Sequence, residues 1–156
     1  MTSTQMSPAP TTSLPVRPAG IATVLGTLAF TAIGTFGDGT NDADHGAREF
    51  LFIAAIVVAV SALMFVFVVP RALRSGRTAN LGLGLAIGSL PFVVVFWSGI
   101  GPVLAVSGIL LGMAARRAGD GAGKGAVAVG IGALALLGYV AIYVSDWMAT
   151  NNVAGM

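Results

Sequence analysis

The residues best suited to chemistry gather in one short polar segment: Asp38, Asp42, Asp44, His45 and, just beyond, Glu49. Carboxylates and an imidazole are ligands a divalent cation takes, and the same set could do acid/base work in an interfacial enzyme. The spacing fits no calcium loop, and no serine or cysteine nucleophile stands beside His45. Acids at a helix start also partner its free N–H groups, so the segment is expected to hold caps, a solvated histidine and no metal. Cysteine is absent from the chain, which removes thiolate metal sites, disulfides and cysteine nucleophiles together.

The second candidate set is a row of hydroxyls. Thr23, Thr27, Thr31 and Thr35 recur at every fourth position and therefore share one helix face. Such a stripe could line a pathway in an oligomer. It could equally bond carbonyls one turn back or a neighbouring helix.

The elements that must position these residues follow from composition. Apolar residues make up 56% of the chain and charged residues 9%, against the roughly 25% charged residues of a soluble domain. Hydrocarbon, not water, is the expected solvent. Residues 1–18, rich in Ser, Thr and Pro, read as a disordered tail. Uncharged apolar runs then predict five transmembrane helices near 19–36, 50–69, 80–97, 101–115 and 125–144, with 148–156 as a short outer tail. A cleaved signal peptide competes for the first run, with Arg17 as its charged start, but the run is longer than a typical signal core. Pro70 is expected to end the second span, because it cannot extend the helix hydrogen-bond ladder. The uncharged stretch from Asn80 to Ala115 is roughly twice the length of one crossing, so it divides at Trp97–Pro102, where Gly99 and Gly101 permit a turn. The alternative is four spans, with 80–115 as one broken or re-entrant element.

Basic residues favour short cytoplasmic loops. With the N-terminus inside, Arg17, Arg71, Arg74, Arg77, Arg116, Arg117 and Lys124 all fall on the cytoplasmic side, leaving Arg48 outside. Trp97, Tyr143 and Trp147 then sit at the outer interface that aromatic residues prefer. The four-span alternative would instead put the Arg71 and Arg116 loops on opposite sides. The basic residues serve as topology determinants and can also hold anionic lipid headgroups. Scattered between apolar runs, they form no continuous face for nucleic acid.

Within the five spans there is no Asp, Glu, Lys, Arg or His. Intramembrane ionisable residues mark proton relays and ion pathways, so their absence argues against a proton-coupled carrier and against acid/base catalysis at membrane depth. Backbone carbonyls or hydroxyls could still line a channel. Small residues are placed for close helix packing: Gly84 and Gly88, Gly108 and Gly112, and Ala126, Gly130 and Gly138. Short connectors make the last three helices neighbours, which favours packing within one chain over dimerisation.

The stretch from Gly101 to Arg117, followed by a Gly-rich linker and Gly125 to Ala133, resembles an uncharacterised domain of small bacterial multi-span membrane proteins. That pattern is a helix ending G-x-x-A-basic, here Gly112, Ala115 and Arg116, then a helix opening G-x-A-x-x-G, here Gly125, Val127 and Gly130 with Val127 in place of Ala. It covers about 80–143. The resemblance implies a bacterial protein and a structural or accessory module without chemistry. The expected function is therefore a non-enzymatic, multi-pass inner-membrane protein of accessory, scaffolding or membrane-organising type, without a cofactor. Its expected partners are the bilayer and a membrane protein or a second copy. The alternative is an oligomeric channel or transporter subunit using the threonine face. An enzyme acting through Asp42, Asp44 and His45 is the third reading.

Overall fold

The computed structural model describes residues 15–36, 43–95, 98–119 and 121–153, and every regular element among them is helical. Helix α1 covers Val16–Phe36, starting inside the expected tail, with Pro18 in its first turn where a missing N–H costs nothing. A long rod follows, made of α2 (Ala43–Ala62), a π-helical turn (Leu63–Val68) and α3 (Val69–Ser75). Helix α4 (Thr78–Ser89) and the single turn α5 (Pro91–Val94) form the ascending arm of a hairpin whose descending arm is α6 (Ile100–Ala118). The last helix, α7 (Ala122–Val153), has 32 residues, about 48 Å of helix at ~1.5 Å per residue.

Three expectations are corrected. Pro70 does not end the second helix. The Val69 N–H reaches back to the Met64 carbonyl, and this wider π register, set just before the proline, relieves the clash that its ring would otherwise make with the preceding turn. The helix stops instead at Gly76, held at φ 69°, so Arg71 and Arg74 lie on a helix and not in a connector. The expected third span is not continuous: besides the turn at Gly99, Pro91 breaks it, the Leu90 N–H bonding the Ile87 carbonyl in a tightened turn before the chain restarts with Pro91 in the first turn of α5. Helix α7 continues past 144 to Val153, through most of the expected outer tail.

Helix α6 is the centre of the bundle, packed on α4 and α7 and touching α1, α2 and α3. Its buried positions include Gly101, Ala105, Ser107, Gly108, Leu111, Gly112 and Ala115. Val69, Ala72 and Leu111 form a small core, with Val16, Leu73 and Leu85 packed around it. Large apolar side chains point the other way: Leu25 is 63% exposed, Phe52 69% and Leu134 67%. Small residues fill the inside and large apolar ones cover the outside, which is the reverse of a water-soluble bundle.

The hairpin stops short of its neighbours. A Cβ placed on Gly99, at the hairpin tip, would meet Val57 of α2 and Thr27 of α1. Val57 lies roughly two turns, about 12 Å, from Glu49 in the rod. Thr27 lies a similar distance from the end of α1 at Phe36. On α7, Gly138 faces Val93 near the tip, again roughly two turns before Asp146. All three registers place the upper end of the hairpin at least about 12 Å below the upper ends of α1, α2 and α7.

Candidate functional site

The basic end is assembled by both hairpin feet. Val16 packs on the core formed by Val69 and Leu111, the Lys124 ammonium donates to Asn80 Oδ1 at 3.0 Å, and Gly121 abuts Ala79. These contacts bring Arg17, Arg71, Arg74, Arg77, Arg116, Arg117 and Lys124 to one end, all exposed. The Arg71 and Arg116 segments therefore share an end, unlike the four-span arrangement. Arg74, Arg116 and Arg117 occupy last turns of α3 and α6, where positive charge complements the helix dipole. Arg48 and Glu49 lie exposed on α2 at the opposite end.

The acidic segment is partly outside the described residues, since Asp38 and Asp42 belong to 37–42. Asp44 and His45 fall in the first turn of α2, which begins at Ala43 and so converts part of the expected loop into helix. Among the described residues no group of three or more His, Cys, Asp or Glu side chains could hold a metal. Trp97 also lies outside the described residues.

The threonine stripe faces inward. Thr27 and Thr31 are buried, and Thr23 and Thr35 are half-buried. Thr23 Oγ1 donates to the Ala19 carbonyl at 2.8 Å and Thr31 Oγ1 to that of Thr27 at 2.9 Å. Both hydroxyls thus engage their own helix. Ser89 and Ser107 do the same toward Ala86 and Val103, whereas Ser61 Oγ is buried without a partner.

Beside this stripe runs an apolar groove between α1 and α7. Its lower chamber, about 160 Å³, is lined by Ala22, Gly26, Phe30, Pro102, Leu136 and Val140, among others. The upper chamber, about 290 Å³, is lined by Phe30, Ile33, Tyr143, Val144 and Trp147. Phe30 borders both. Its ring meets Tyr143 and Tyr139 edge-on, with centroids 5.1 and 6.4 Å away, while the Tyr143 hydroxyl donates to the Phe30 carbonyl. The aromatic cluster ties α1 to α7 above the hairpin tip. Tyr143→Phe should keep the ring packing and lose the bond, lowering stability by about 0.6–1.7 kcal/mol in detergent unfolding. Tyr143→Ala should lose roughly 2 kcal/mol more, because the edge-on contact goes too. Equal losses for the two variants would show that the ring contributes nothing.

The glycine contacts differ from the expected set. Cβ atoms built on Gly108 and Gly112 meet backbone of α4 and α7, but their partners are Gly82, Ala86 and Gly125. On Gly84, Gly88 and Gly130 an added Cβ meets nothing within 4 Å, and on Gly138 it makes an ordinary 3.4 Å contact with Val93. Gly82 and Gly132 are not among the packing residues the sequence suggests, and Gly125 enters there only as part of the helix-opening motif. Their signal is a spacing alternating between three and four: Gly125, Ala128, Gly132, Ala135 and Tyr139 are all buried. No protein-family model matches the chain, and no curated protein or solved structure is significantly similar to it.

Proposed function

We propose that the chain is a non-enzymatic, multi-pass membrane protein of accessory or scaffolding type. In this reading the expected five crossings become three, α1, the α2–α3 rod and α7, because α4 has only 12 residues before the break at Pro91; α4–α6 then enters as a hairpin from the basic side, taken as the cytoplasmic side of a bacterial inner membrane. The observation that carries it is the inverted surface. Four helices are long and apolar enough to cross a membrane; on α1, the rod and α7 the large apolar side chains face outward, while α6 is mostly enclosed by its neighbours, and seven basic residues mark one end.

An accessory role is supported by the interior. Among the described residues the buried polar side chains are hydroxyls of Thr, Ser and Tyr139, and proton relays and substrate counter-ions use ionisable groups. The inward-facing threonines, bonded to their own helix at Thr23 and Thr31, support the accessory reading over a channel lined by them.

Because the chain contains no cysteine, single-cysteine variants test the topology directly. The protein should resist carbonate extraction. Ala149→Cys should react with a membrane-impermeant maleimide in intact cells, Ser75→Cys only after permeabilisation, and Ser98→Cys, at the inset tip, in neither. Rapid labelling of Ser98→Cys in intact cells would refute the hairpin arrangement. For the accessory role, saturable solute flux in proteoliposomes that is lost in Thr27→Val would overturn the reading.

A further inference from the structure

We propose that the basic end is a collar that gathers anionic phospholipids of its own leaflet, each held by its phosphate at a basic side chain and by an acyl chain against the apolar side chain one turn inward. The inference rests on the membrane-spanning reading above and names the partner of its charged end. Seven basic residues against Asp120 leave a side-chain charge of +6 at this end, whereas Arg48 against Asp38, Asp42, Asp44, Glu49 and Asp146 leaves −4 at the other. The described carboxylates, Asp44, Glu49 and Asp146, all belong to that far end. Lys124 donates to the neutral Asn80 side chain, a contact that fixes its position and leaves its charge in place. Most of the counter-charge for the basic end therefore comes from outside the chain.

Placement separates a phospholipid from a soluble polyanion. On α1, Arg17 stands one turn from Ile21; where the π-helical turn meets α3, Arg71 stands one turn from Phe67; on α7, Lys124 stands one turn from Val127. The three apolar side chains are 62%, 64% and 51% exposed. Residues three or four apart share a helix face, and in each pair the apolar member lies toward the middle of its element. Each pair thus sets a charge at the headgroup boundary with hydrocarbon surface directly inward of it, the order of groups along a phospholipid. An acidic protein or a nucleic acid arriving from the aqueous side would need the charges without the apolar partners. Arginine supplies six of the seven charges, and its guanidinium bonds a phosphate with two N–H groups at once. The pairs stand on three different elements that pack on α6, so they act around the bundle and not at one pocket.

The test uses the full chain in phosphatidylcholine vesicles carrying a trace of spin-labelled lipid, either phosphatidylglycerol or phosphatidylcholine. Electron spin resonance reads the fraction of label immobilised by the protein. Immobilised phosphatidylglycerol should exceed immobilised phosphatidylcholine by at least ~2-fold at low salt. The excess should vanish at about 1 M salt, where the Debye length is roughly 3 Å. Arg17→Gln, Arg71→Gln and Lys124→Gln combined should remove at least about half of the excess, since each takes one charge from the collar. Arg17→Lys with Arg71→Lys should keep most of it, which separates loss of charge from loss of fold. Arg48→Gln, at the far end, should leave it unchanged. Parity in the unaltered protein, an excess that survives the triple replacement, or one insensitive to salt would overturn the proposal. Parity together with binding of heparin to the vesicle-held protein would assign the basic end to a soluble polyanion instead. Immobilisation of neither lipid would overturn the membrane-spanning reading and the proposal with it, whereas parity overturns the proposal alone.

Discussion

Leucine at Gly112 or at Gly125 is expected to abolish the native packing of α6 on α7, costing on the order of 3–5 kcal/mol. The two glycines face one another reciprocally. A Cβ on Gly112 would stand 2.7 Å from the Gly125 carbonyl oxygen, and one on Gly125 2.6 Å from that of Gly112. The obstacle is backbone on both sides, so no rotamer change can make room and the helices must separate. Separation also strips Leu111 and Ala128, both fully buried, of their neighbours. Dispersion is the main force between helices in lipid, and its loss has no hydrophobic compensation. The informative control is leucine at Gly84 or Gly130, where the added Cβ meets nothing. There the exchange should stabilise the helix by up to ~1 kcal/mol, since glycine is the poorer helix former. Equilibrium unfolding in mixed micelles, followed by far-UV circular dichroism, reads both. If Gly84→Leu proved as damaging as Gly112→Leu, the outer face of α4 would be covered by another molecule.

That contrast also shows where the sequence was legible. Long uncharged runs announce the helices, because a helix satisfies its backbone hydrogen bonds internally whatever surrounds it. The connectors are announced by glycines that must take positive φ: Gly76 at 69°, Gly99 at 66°, Gly119 at 74° and Gly121 at 71°. Packing register was harder. Gly84 and Gly88 form a conspicuous pair, yet the face that α4 buries is Thr78, Gly82, Ala86 and Ser89, whose smallness is spread over three residue types. Pro70 misled because its effect was offset upstream by the π-helical turn, a compensation no residue in Leu63–Val68 advertises. The inset tip was illegible for a different reason: length says how far each arm reaches, but the axial offset between neighbours is fixed by contacts such as Gly99 on Val57.

The tip contact leads to the second large effect. Gly99→Ala is expected to cost about 3 kcal/mol, from two sources that can be separated. The first is backbone: φ is 66° at Gly99, and an alanine there carries roughly 1–2 kcal/mol of left-handed strain. The second is space, because the new methyl would lie 2.5 Å from Val57 Cγ2 and 2.8 Å from Thr27 Cγ2. Val57 is fully buried and β-branched, so it has few rotamers with which to yield. Val57→Ala combined with Thr27→Ser removes both obstructing methyls. In that background Gly99→Ala should cost only the backbone part, leaving a coupling of about 1–2 kcal/mol between tip and neighbours. A strictly additive cycle would mean that the tip does not touch α1 and α2, and the inset geometry would fall with it.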